Sequence, residues 1–168
     1  MQIHIAANSG TGTTKLAAFD AALNNIGIAN YNLLLLSSVI PPESELINHG
    51  SAIPAGTVPG SWGDRLYMVM AEQRADVIGE EAWAGIGWVL DAATRKGLFV
   101  EHEGTSEASV RGDIEASLKN LMKTRGVDFG EIHMAVNGVT CTNEPVCAMV
   151  AAAYQVSDWH NRPNLFGA

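Results

Sequence analysis

The chain has 168 residues, 47% of them apolar, with 17 glycines and a formal net charge of −8 from 10 basic and 18 acidic side chains. Such a chain is long and apolar enough for one globular domain over residues 1–168, and its composition is not that of a disordered protein. The acidic balance argues against a nucleic-acid partner, which calls for a basic face. It suits a cationic small substrate, although solubility explains it equally well.

Gln2 to Ala7 alternates and reads as a strand. The start is too short an apolar run for a signal segment, and no stretch reaches membrane-spanning length, so no membrane partner is expected. Asn8 to Thr14, NSGTGTT, reads as a loop; it lacks the Gly-Lys-Ser/Thr ending of a phosphate loop. Thr13 or Thr14 can cap the helix that follows, in which Leu16, Phe19, Leu23 and Ile26 recur on one apolar face before Gly27 closes it. Asp20 lies beside that face. Its ordinary reading is a solvated carboxylate, yet a carboxylate in a partly buried site also selects a guanidinium through two parallel hydrogen bonds.

Tyr31 to Glu45, YNLLLLSSVIPPESE, is the most informative stretch. Four leucines, Leu33 to Leu36, run into Ser37-Ser38, and Pro41-Pro42 soon ends regular structure. A run so short, stopped by prolines, reads as a buried strand that breaks into a stiff turn at the serine pair. The Ser38 hydroxyl can attack the Ser37 carbonyl in an N-to-O acyl shift. Elimination from the resulting ester leaves a dehydroalanine, which hydrolyses to a pyruvoyl group. The step needs a strained peptide and a donor for the developing oxyanion, and Asn32 is near in sequence. A serine pair taken alone more simply ends a strand.

Glu43 to Gly63, rich in Pro and Gly, reads as a loop with several turns. Strands are expected at Leu66 to Met70 and at Ala82 to Leu90, joined by a polar connection over Gln73 to Glu81. The next strand begins at Gly97 and ends in Glu101-His102-Glu103, where alternation separates the two carboxylates from the histidine. Paired carboxylates at a strand end suit acid/base work, although a solvated edge is the plainer reading. Thr105 or Ser106 caps a helix to about Thr124, buried through Val110, Ile114, Leu118 and Leu121. Strands at Ile132 to Val139 and Val146 to Gln155 follow, then a tail from Trp159 to Ala168. Cys141 and Cys147 read as free thiols of a cytoplasmic protein, and five scattered histidines supply no metal-ligand spacing, so no metal is expected. The order suggests an α/β fold with an internal structural duplication, its two helices covering two packed sheets of about seven strands.

Three blocks in order, LAAFDAALNNIGIANYNLLLLSSVIPPESE (Leu16 to Glu45), IPAGTVPG (Ile53 to Gly60) and GLFVEHEG (Gly97 to Gly104), with a weaker CAMVAAAY (Cys147 to Tyr154), resemble the pyruvoyl-dependent arginine decarboxylases. The resemblance implies a four-layer α/β/β/α sandwich, cleaved between Ser37 and Ser38 into two chains. It implies a homotrimer, or a multiple of one, with active sites between subunits. The cofactor would be a pyruvoyl group made from Ser38, with no pyridoxal phosphate, forming a Schiff base with the α-amine of L-arginine and acting as electron sink as carbon dioxide leaves. Glu101 would be the proton donor, with a pKa raised by burial. Asp20 would hold the guanidinium, Leu16 and Leu23 would wall the aliphatic stem or pack the core, and Asn32 would serve the self-cleavage. Two alternatives stay open: a pyruvoyl enzyme for another cationic amino acid, and a non-cleaving relative with a binding or structural role.

Overall fold

A computed structural model of the chain describes residues 1–159; the tail noted above lies, from residue 160 on, outside the described residues. Strand β1 (Gln2–Thr11) leads into helix α1 (Lys15–Ile26). The Thr14 side chain accepts from the Ala17 amide, and Gly27 ends the helix in the left-handed region, φ 97°. The strand runs past the expected boundary, through Ser9, Gly10 and Thr11. Gly10 makes this possible: a Cβ there would lie 2.3 Å from backbone atoms of Ala18 and Ala22, so its bare Cα lets α1 lie on the strand.

Three short strands follow the helix, β2 (Asn32–Leu35), β3 (Val39–Ile40) and β4 (Glu45–Asn48), and then the long β5 (Arg65–Ala75). Strand β4 lies inside the segment expected to be a loop and pairs in parallel with β1. Strand β5 reaches through Gln73 to Ala75, so the connection to β6 (Glu81–Leu90) is only residues 76–80. Then come β7 (Gly97–Gly104), α2 (Glu107–Arg125, N-capped by Ser106), β8 (His133–Thr140) and β9 (Val146–Ser157). The described residues thus hold nine strands rather than about seven.

The strands form two sheets, β2-β5-β9-β1-β4 and β3-β7-β6-β8. Apolar residues collect in three places. One cluster, including Ile5, Val69, Val150, Ile86 and Phe99, joins strands of both sheets. A second lies under α1 on the five-stranded sheet, around Ala22, Ile26, Met68 and Met149. A third lies under α2 on the four-stranded sheet, around Val110, Ile114 and Leu118. Glycines on β6 bring α2 close: a Cβ on Gly87 would meet Ile114 Cγ2 at 2.1 Å.

The leucine run departs from expectation. Strand β2 is not buried but lies at the edge of the five-stranded sheet, paired on one side only, with β5. Leu35 is 64% exposed, and Leu34, Leu36 and Val39 also face out. On α1, Leu16 is 68% exposed and stands off the buried face that Leu23 and Ile26 form.

Candidate active site

The link between β2 and β3 crosses from one sheet to the other. The Leu36 amide donates to the Met68 carbonyl at 2.9 Å, the last tie to the five-stranded sheet. The Phe99 amide donates to the Ser38 carbonyl at 2.8 Å, the first tie to the four-stranded one. The Ser37–Ser38 bond lies between these anchors, in a span of residues 36–38. Ser38 has φ 66°, a conformation that L-residues with a side chain rarely adopt. Downstream, the Ser44 hydroxyl donates to the Pro41 carbonyl at 2.7 Å, and the Glu43 amide donates to Thr94 at 2.9 Å, so the prolines lead into a pinned turn.

Strand β7 brings its carboxylate to this bond. The Ser38 hydroxyl donates to Glu101 Oε1 at 2.6 Å. Burial pushes the Glu101 pKa above the ordinary carboxylate value; the Ser38 hydrogen bond and, more weakly, His102 pull it back. His102 points to the other side of the strand, where its Nε2 and the Ser117 hydroxyl of α2 lie 2.8 Å apart. Glu103 is exposed. The alternation expected of this strand end therefore holds, and of its two carboxylates it is Glu101 that meets the serine. A cavity of about 390 Å³ opens here, lined by Ser37, Ser38, Glu101 and His102 and, from α2, by Ser117 and Arg125.

Tyr154, the last residue of the CAMVAAAY block, was given no role by the sequence. Its hydroxyl donates to the Val39 carbonyl at 3.3 Å, and its ring meets Phe99 edge-on at 6.1 Å. Burial, with Glu101 nearby, raises its pKa, so it stays a neutral donor behind the serine. Its only sequence signal was a polar-tipped aromatic ending an otherwise small-residue strand.

The other expected residues do not join this group within the chain. The Asn32 side-chain amide is bonded to the Gly63 carbonyl. Asn32 opens β2, five positions before Ser37, and does not line the cavity. Among the described residues the Ser37 carbonyl accepts no hydrogen bond. Asp20 and Leu16 are exposed on α1, Leu23 is buried beneath it, and no α1 residue lines the cavity. Among the described residues there is no cluster of three or more potential metal ligands, and no helix long and apolar enough to cross a membrane.

Residues 2–158 match the family model of the pyruvoyl-dependent arginine decarboxylases. A pyruvoyl-dependent arginine decarboxylase of Halobacterium salinarum is 35% identical over 163 residues, covering 94% of this chain and 96% of the relative. Proteins of the same name from Thermococcus sibiricus and Methanocaldococcus jannaschii are 33% and 32% identical, covering 86% and 90% of this chain and 89% and 87% of theirs. A solved pyruvoyl-dependent histidine decarboxylase aligns at 15% identity with a TM-score of 0.46, over 88% of this chain and 69% of that one. With the family model matched over nearly its whole length, the chain belongs to the pyruvoyl-dependent arginine decarboxylase family.

Proposed function

We propose that the protein is a self-processing decarboxylase that converts L-arginine to agmatine and carbon dioxide, with Ser38 as the source of its pyruvoyl group and Glu101 as its acid. The observation that carries this reading is the 2.6 Å contact between a positive-φ serine and a half-buried carboxylate, at the serine pair of a chain from this family. The Ser38 hydroxyl attacks the Ser37 carbonyl, and the chain separates into a small N-terminal piece and a larger piece that begins at residue 38. The pyruvoyl group supplies an electrophilic carbonyl for the substrate amine and an electron sink for the loss of carbon dioxide. Glu101, its pKa raised by burial, holds the proton that the substrate carbon then takes up.

The remaining roles require a second copy of the chain. Asp20 binds the guanidinium, with Leu16 and Leu23 along the aliphatic stem, and Asn32 supports the self-cleavage. Asp20 stands on the outer helix of one sheet, and the serine lies by the edge of the other. The exposed Leu34, Leu35, Leu36 and Val39 suit burial in a subunit contact. A homotrimer with its sites between subunits accommodates both facts. We read the chain as one domain, a four-layer α/β/β/α sandwich with duplicated halves, for which the three apolar clusters and the β-α-β run at each end are the support. A cytoplasmic location is in keeping with its two buried free thiols.

Intact mass under denaturing conditions tests the reading. Two fragments that meet at Ser37–Ser38, the larger blocked at its N-terminus and trapped by borohydride with an amine, are expected. The processed protein should then release carbon dioxide from arginine in preference to lysine or ornithine. A chain that stays whole after long incubation would falsify the cofactor assignment.

A further inference from the structure

Self-cleavage by this route has two chemical halves, and the described contacts serve only the first. In the first half the Ser38 Oγ–H bond breaks, Oγ bonds to the Ser37 carbonyl carbon, and the Ser37–Ser38 amide becomes an ester with a free amine. In the second half a base takes the Cα proton of residue 38. Its electron pair forms the Cα=Cβ bond, the Cβ–Oγ bond breaks, and Ser37 departs as a carboxylate anion. Charge therefore develops on Ser37 where the neutral peptide carried none, and a cation beside it lowers that barrier.

The cavity at the serine pair contains one such cation. Arg125 is the last residue of α2 and lines the cavity together with Ser37, Ser38 and Glu101. Its side chain makes no hydrogen bond or ion pair with any other described residue. A basic residue in a last helical turn has an ordinary reason to be there, the carbonyl end of the helix, and Lys123 shares that reason. Of the two, only Arg125 is among the residues of the cavity. Its planar guanidinium matches a carboxylate through paired hydrogen bonds, and Asn120, five residues earlier and also lining the cavity, adds an amide. The carboxyl group already present, Glu101, is engaged by the Ser38 hydroxyl.

We propose that Arg125 receives the Ser37 carboxylate: it stabilises this leaving group during the elimination and afterwards holds the new C-terminus away from the pyruvoyl group. This deepens the proposed function and rests on its self-cleavage step.

The test follows processing of freshly refolded wild type, Arg125→Ala and Arg125→Lys by gel and mass, with and without brief neutral hydroxylamine, conditions that cut an ester but leave peptide bonds, Asn137–Gly138 included, intact. In Arg125→Ala, cleavage should slow roughly tenfold, less than the loss of a buried oxyanion donor because the site is open. An uncut species that hydroxylamine splits at residue 37 should build up. Arg125→Lys should recover most of the rate, because the charge is kept. Processing of Arg125→Ala at the wild-type rate would overturn the proposal. So would a slow variant whose uncut chain resists hydroxylamine, since its defect then precedes the ester. Thermal melts of the uncut chains separate either result from misfolding, which an exposed residue without described partners should not cause. A wild type that never cleaves sinks the proposed function itself, and this inference with it.

Discussion

In the uncleaved chain the Ser38 hydroxyl pulls the Glu101 pKa down against the stronger upward push of burial. Conversion of Ser38 to a pyruvoyl group removes that hydroxyl, and with it the downward pull, so the processed enzyme should hold its proton to higher pH than the precursor. An acid catalyst works while protonated, so kcat should be retained at low pH and fall as pH rises through a pKa above the ordinary carboxylate value. Glu101→Gln should still cleave, because Gln Oε1 can accept from Ser38, but kcat should drop about a hundredfold or more. A pH–rate profile of both proteins reads this out, and an unchanged limb in the variant would remove Glu101 from the chemistry. The neighbouring serine carries a separate cost. Neither Ser38→Ala nor Ser38→Gly can cleave, but glycine relieves φ 66°, so the glycine variant should be more stable by about 1 kcal/mol in urea melts.

Among the elements, α2 forms one wall of the cavity, and Gly87 sets how closely it lies on β6. Gly87→Ala pushes Ile114, and with it the face bearing Ser117 and Arg125, off the sheet. A loss of about 1–3 kcal/mol in stability is expected, together with slower processing. Normal processing in a destabilised Gly87→Ala would show that the wall can shift without consequence. Much of this level was legible in the sequence. Caps at Thr14, Gly27, Ser106 and Gly126 follow from local chemistry, and the 3.6-residue stripe of Val110, Ile114 and Leu118 is buried as its spacing requires. What was not legible depends on distant partners. An apolar run such as Leu33 to Leu36 looks the same whether its own fold or a neighbouring molecule covers it. Strand β4 is recognisable only through β1, with which it pairs, and the last residues of β1 read as loop because the helix that requires their glycine is elsewhere in the sequence. The candidate site shows the same division. Glu101 was read through its family block, whereas Tyr154 reaches the site only by folding, from 115 residues beyond the carbonyl it binds.

At the scale of the assembly, the separation of Asp20 from Ser38 gives a sharp expectation. Uncleavable Ser38→Ala subunits and processed Asp20→Ala subunits should each lack arginine turnover at ordinary substrate concentration. Co-expressed, they should recover part of it, because some interfaces then join an intact Asp20 to an intact pyruvoyl group. Failure of mixed assemblies to regain activity would place the guanidinium site within one chain. Leu35→Asp tests the contact itself: it should shift the particle from about three times the 17.8 kDa chain mass towards one on a sizing column with light scattering.

The span over residues 36–38 also decides what kind of object the mature protein is. Before cleavage, folding is unimolecular, since one chain carries both sheets. Cut as proposed between Ser37 and Ser38, the chain would leave β1, α1 and β2 on a separate 37-residue peptide, with β1 between β9 and β4 inside the five-stranded sheet. The peptide is therefore a structural strand donor held without a covalent bond, and regaining the native state from the denatured one becomes a second-order reaction between fragments. The maturation that creates the catalytic group thus also acts as a ratchet. On the proposed cleavage, the precursor would fold and refold as a dilute single chain, whereas the finished enzyme would owe its persistence to the barrier against losing its first 37 residues.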